Sequence, residues 1–176
     1  MSQQNNITSV LVNEHKNILK VIDIIFEKCT QMESSRKMNS AFFNDVIDFI
    51  RNYADGFHHV KEEDILFRQM LQNLDNMHCN PIPVMLNEHD AGREYVKGMI
   101  KAVETKNLAA AIENARGYGL LLKNHIYKED NVLYPMAEES LDNSQKTEIN
   151  IAYSQVSAID YLKEDINSII SRLASY

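Results

Sequence analysis

Apolar positions along the chain recur at steps of three and four residues, the spacing that lines one face of a helix. A first stripe runs Leu11, His15, Ile18, Ile22, Ile25, Cys29, Met32. A second runs Phe43, Ile47, Ile50, Ala54, His58, Glu62, Ile65, after an N-cap at Asn39 or Ser40. Beyond Pro81 and Pro83 a third reads Met85, His89, Gly92, Val96, Met99, Val103. The fourth reads Leu108, Ile112, Ala115, Gly119, Leu122, His125, Glu129, Val132, and is expected to end near Pro135. A fifth, after Asn143 or Ser144, runs Ile149, Ala152, Val156, Ile159, Leu162, Ile166, Ile170, Leu173. Short connections make neighbouring helices antiparallel. The expected fold is therefore all-α and a single domain over 1–176: an up-down-up-down four-helix bundle over about 7–136, with an additional C-terminal helix over about 143–175.

The first four stripes each carry a histidine where a core residue belongs, and two of them carry a glutamate as well; the fifth is apolar throughout. A lone inward histidine is usually a hydrogen-bonded core residue. Four of them beside two glutamates explain one another. An ionised carboxylate buried without a cation is strongly disfavoured and otherwise turns neutral. Lys and Arg are absent from the inward stripes, so a metal is the natural counter-charge.

Two overlapping pairs, His58 with Glu62 and His59 with Glu63, have the i,i+4 spacing that puts each pair on one helical face. An internal repeat favours the first. HHVKEEDILF from His58 aligns with HIYKEDNVLY from His125 at a constant offset of 67 (58 to 125, 62 to 129), which sets His59 opposite Ile126. Asn13-Glu14-His15 is echoed by Asn87-Glu88-His89. The chain reads as a duplicated helix pair, each half giving one lone His and one His-x-x-x-Glu. The candidate metal ligands are His15, His58, Glu62, His89, His125 and Glu129. Six inward ligands exceed the closed tetrahedron of a structural zinc site. If both glutamates bridge, two six-coordinate metals each receive two nitrogens and two oxygens, with positions left for a bridging oxide or hydroxide and an exchangeable ligand. Imidazole and carboxylate without thiolate suit iron, and manganese or zinc less exclusively.

Composition narrows the setting. Five Gly and three Pro in 176 residues fit a few long helices joined by short loops. A net charge of −7 speaks against nucleic acid or an anionic membrane as partner. No stretch reaches membrane-spanning length, and MSQQNNITSV has neither the basic region nor the apolar core of a signal. Cys29 and Cys79 read as ordinary thiols, so a cytoplasmic location is expected.

These motifs resemble the hemerythrin-like family, or HHE cation-binding domains, from His15 to about Pro135. On HHVKEEDILF and HIYKEDNVLYP the family's ligands fall on the six residues above. The resemblance implies a non-haem di-iron centre with carboxylate and oxygen bridges. Oxygen-carrying hemerythrins supply two third-helix histidines four residues apart, whereas Met85 and Arg93 flank His89 at that spacing here. The four-His, two-Glu set is more similar to bacterial proteins associated with repair of iron centres after nitric oxide or oxidative stress. Many of those carry a short N-terminal cysteine-containing domain, and this chain begins almost at its first helix.

Glu14 and Glu88, each before a ligand histidine, fit either a solvated face or support of a metal-bound ring. Glu63 and Asp130 are expected to face outward, His59 to be structural, His78 exposed, and Tyr127 and Tyr134 to pack. Gly117 and Gly119 suit a close helix approach or a path to the metals. Cys29 reads as core, and Cys79 as the thiol open to reaction. Three roles fit this site: binding or reaction with oxygen, nitric oxide or peroxide, served by a redox partner; non-enzymatic iron or oxygen sensing; and iron donation to an acceptor protein in repair of iron-sulfur clusters.

Overall fold

The computed structural model describes residues 6–176; the reading of the first ten residues as signal-free thus falls partly outside the described residues. Six helices follow. Helix α1 (Ser9–Ser35) ends where Arg36 turns left-handed at φ 54°. Helix α2 occupies residues 40–71 and starts where the Asn39 side chain accepts from the Phe42 amide. Helix α3 (Ile82–Glu104) starts at Pro81, and α4 occupies residues 108–140 from the Asn107 cap. Helix α5 (Asn143–Gln155) opens on a capping box of Asp142 and Gln145, and α6 is Ile166–Ser175. In the bundle α4 packs on α1 and α3, and α2 closes the ring against both. A Cβ on Gly119 would come within 2.8 Å of the Phe26 ring, so that glycine sets how closely α4 approaches α1.

Helices α2 and α4 are not uniform. Each passes through π-helical turns, at Ile50–His59 and Lys61–Leu66 in α2 and at Glu129–Leu133 in α4, the last of these matching Lys61–Leu66 in the repeat. Wider turns of this kind recur at functional sites. Their effect is a shift in the buried stripe: past the two glutamates it falls on Leu66 and Leu133, four residues on. The expected Ile65 is only partly buried, and Val132 is exposed.

Three expectations about the helices are corrected. Helix four does not end near Pro135; it continues to Ser140 because Pro135 sits in the first turn of the α-helical piece that follows the π turn, where its missing N–H breaks nothing. The single C-terminal helix over about 143–175 is two helices. Val156 is extended, a short 3₁₀ turn covers Ala158–Asp160, and Asp165 caps a fresh start by accepting from the amides of Asn167 and Ser168. Ile159, part of the expected stripe, is exposed. Lysine is also not absent from the interior, since Lys61 is only 2% exposed.

The core divides into two apolar clusters. The larger includes Ile18, Ile22, Phe43, Ala54, Val96 and Leu122, and takes Ile169 and Leu173 from α6. The smaller includes Leu11, Leu66, Met85 and Leu133, and is covered by Ile149 and Tyr153 from α5. Each bundle helix passes from one cluster to the other through the histidine and glutamate positions, which therefore form a polar layer between them.

Candidate metal centre

All six sequence-predicted residues converge in this layer, each no more than 2% exposed. The rings face one another in two pairs: His15 Nε2 lies 3.0 Å from His58 Nε2, and His89 Nε2 lies 2.9 Å from His125 Nε2. The other ring nitrogens decide what these contacts mean. His15 Nδ1 donates to Asp130 (2.8 Å), His58 Nδ1 to Glu14 (2.9 Å), His89 Nδ1 to Glu63 (2.7 Å) and His125 Nδ1 to Glu88 (2.9 Å). A neutral imidazole with its proton on Nδ1 presents a lone pair at Nε2. Each pair therefore aims two lone pairs at one point, an arrangement that a shared cation satisfies.

The carboxylates complete the set. Glu129 Oε1 lies 3.0 Å from His125 Nε2 and Oε2 lies 3.2 Å from His15 Nε2, so one carboxylate spans both histidine pairs. Glu62 Oε2 lies 3.7 Å from His58 Nε2 and 3.5 Å from His89 Nε2, while Oε1 accepts a 2.6 Å hydrogen bond from the Tyr134 hydroxyl. Among the described residues no donor is directed at either oxygen of Glu129 or at Glu62 Oε2. Buried acceptors left this way are unusual and point to an ion. Burial and the neighbouring Glu129 push the Glu62 carboxyl well above its ordinary range. The donor set, four imidazole nitrogens and two carboxylates without thiolate, fits two metal ions of the first transition row.

Supporting groups repeat with the ligands. Lys61 donates to Glu14 at 2.6 Å and lies over the Phe57 ring, and Lys128, 67 residues on, pairs with Glu88. Glu63 and Asp130 do not simply face outward; they lean back to hold the rings of His89 and His15, each in the opposite half of the repeat. Tyr134 is more than packing, since its hydroxyl touches Glu62 and lies 3.2 Å from His15 Nε2. The sequence signal for these residues was the repeat itself, which pairs Glu14 with Glu88, Lys61 with Lys128 and Glu63 with Asp130. Tyr127 is exposed, as are His78 and Cys79, and Cys29 is buried.

His59 enters the same layer, with a ring nitrogen within 4.8 Å of ligand atoms of Glu62, His89 and His125. Its ring stacks on His89 at 3.7 Å between centroids and 8° between planes. Two parallel rings at that separation have no common plane in which an ion could meet both nitrogen lone pairs. In this arrangement only one of the two rings can offer its lone pair to a given ion. Burial holds the His59 pKa down to about 4. Its Nδ1 contacts Asp55 at 3.2 Å. Arg93, one of the two residues that flank His89 at a four-residue spacing, grips Asp55 at 2.7 Å and Glu63 at 2.7 Å.

Comparison with known proteins places this geometry. The iron-sulfur cluster repair protein YtfE of Salmonella typhimurium is 37% identical over 90 residues, covering 46% of this chain and 40% of the relative. The match thus spans less than half of that protein's length. No solved structure matches the chain. Among the described residues no helix is long and apolar enough to cross a membrane. Residues 6–137, which carry all six converging side chains, match the hemerythrin HHE cation binding domain, and the chain belongs to that family.

Proposed function

We propose that the layer holds two iron ions, for which His15, His58, His89, His125, Glu62 and Glu129 would supply the ligands. The centre binds or reacts with a small oxidant or gas: oxygen, nitric oxide or peroxide. The observation that carries this reading is the pairing of Nε2 lone pairs at 3.0 and 2.9 Å, with one oxygen of Glu129 beside each pair. Two irons with an oxo or hydroxo bridge would supply ferrous–ferric redox chemistry and an exchangeable coordination position. The chain's own residues do the rest. Asp130, Glu14, Glu63 and Glu88 fix ring tautomer and orientation at Nδ1, which raises the basicity of the Nε2 lone pair. Tyr134 orients Glu62 through Oε1. The two apolar clusters exclude water from above and below. We place the protein in the cytoplasm, served by a redox partner.

The test is elemental analysis of freshly purified protein, with absorption spectra after reduction and after return to air. About two irons per chain and near-ultraviolet bands that bleach on reduction and recover in air are expected. Absence of bound metal after anaerobic iron loading would return the six residues to a structural role. A second reading has one observation in its favour, the similarity to a protein named for iron-sulfur cluster repair: the centre would donate iron to a damaged acceptor. Transfer of iron to an apo iron-sulfur protein, faster than from free iron under chelator, distinguishes it.

A further inference from the structure

The two histidine pairs are related by the repeat but not by their surroundings. Tyr134 and Phe67 are equivalent positions, 67 apart, and lie against His15 and His89 respectively. Beside the His89 and His125 pair the symmetry fails. A cavity of about 350 Å³ lies among α2, α3 and α4, with His59, His89 and His125 in its lining. Its apolar walls come from Ile50, Val96, Ile100 and Leu122, and the charged side chains Arg51, Asp55, Glu88, Arg93 and Lys97 also line it. Tyr118 also lines it; this residue is 3% exposed, and its hydroxyl has no hydrogen-bond partner among the described residues.

Volume argues against a mere gas passage. A water-sized ligand occupies about 30 Å³, so the space is an order of magnitude larger than a diatomic needs. Sites for small organic molecules begin near 300 Å³ and combine apolar walls with a few convergent polar groups. A buried hydroxyl without a partner carries a desolvation cost that a ligand acceptor would remove. Gly92 contributes to the space: a Cβ there would meet the Tyr118 ring at 3.6 Å and Leu122 at 3.7 Å, ordinary contact distances. A side chain is therefore sterically admissible at 92, and its absence leaves the wall hollow.

We infer that this cavity is a binding chamber for a small organic acid, its oxygen-donor head at the His89 and His125 end and its short apolar body against Ile50, Val96, Ile100 and Leu122. The inference rests on the metal-centre reading, since an ion held by His89 and His125 would offer the head its anchor. Tyr118 donates its hydroxyl to the ligand and so acts in recognition.

Full-length iron-loaded protein titrated with azide, acetate and hexanoate, followed by calorimetry and by absorption of the centre, tests the chamber. Hexanoate is expected to bind at least tenfold more tightly than acetate, because its extra methylenes leave water, and to perturb the spectrum. Gly92→Leu should abolish that preference while azide binding stays within about twofold of the parent protein. Tyr118→Phe gives up no internal hydrogen bond, should fold as the parent does, and should loosen hexanoate about fivefold. Equal affinity for acetate and hexanoate with azide binding intact would overturn the chamber and leave the metal centre standing. Failure to take up iron or bind azide would instead overturn the metal-centre reading, and the chamber with it.

Discussion

His58 and His59 are adjacent, both are buried, and they are expected to differ in consequence. His58 aims Nε2 at His15, whereas His59 lies flat on His89. His58→Ala should therefore lose at least one metal per chain, and His59→Ala should keep metal content nearly unchanged by elemental analysis; equal losses would refute this division of roles. The carboxylates at Nδ1 allow a second contrast. Glu88→Ala and Glu14→Ala should each weaken metal affinity by about 10- to 100-fold in chelator competition. Only Glu14→Ala should also cost about 3 kcal/mol in denaturant unfolding. It leaves Lys61, 2% exposed, charged and unpaired, whereas Lys128 is 38% exposed and can turn to water. The six ligand candidates were legible from inward spacing and the repeat. The outward expectation for Glu63 and Asp130 was not met, because placing them required knowing how far a π turn rotates the residue after each glutamate.

At the scale of the helices, periodicity located the bundle and left two local features unread. A π turn changes the stripe by one position, from Val132 to Leu133, and a pattern of three- and four-residue steps accommodates either choice. Pro135 looked like a stop signal for the same reason: it ends an α-helix, but it is tolerated in the first turn of one, and the preceding π turn supplies such a first turn. The C-terminal stripe kept helical spacing through Ile159 although the chain leaves the helix at Val156, and the side chain that restarts it, Asp165, is an ordinary N-cap in the sequence. Packing between helices is open to a direct check at Gly119. Its missing Cβ leaves room for the ring of Phe26 and for Ile22, the latter 3.1 Å from where a Cβ would stand. Gly119→Val should separate α1 from α4 and destabilise the protein by about 1–3 kcal/mol, read from the denaturant midpoint. A stability equal to that of the parent would mean that the two helices have slack at this crossing.

In the molecule as a whole, the polar layer divides what would otherwise be one continuous core, and in the absence of a cation it is a source of instability. Glu62 and Glu129 are fully buried, and three of their four oxygens lack a donor. An ion that binds only the folded chain stabilises it by mass action, about 2.7 kcal/mol at a hundredfold excess over Kd. For a chain of this size that corresponds to a rise in Tm of roughly 5–10 °C. Calorimetry of iron-loaded and chelator-stripped protein should show such a gap. The decisive comparison is a third protein, Glu62→Met with Glu129→Met. Removing one side of a buried ion pair is costly, but three of these four oxygens accept no hydrogen bond and a buried carboxylate without a partner is itself costly, so this variant should bind no iron and yet melt above the stripped parent. If the layer instead served folding alone, with the imidazole and carboxylate contacts as its purpose, the double substitution would strand four histidines and melt below the stripped parent. The sign of that one difference in Tm separates a layer kept for its metal from a layer kept for its own hydrogen bonds.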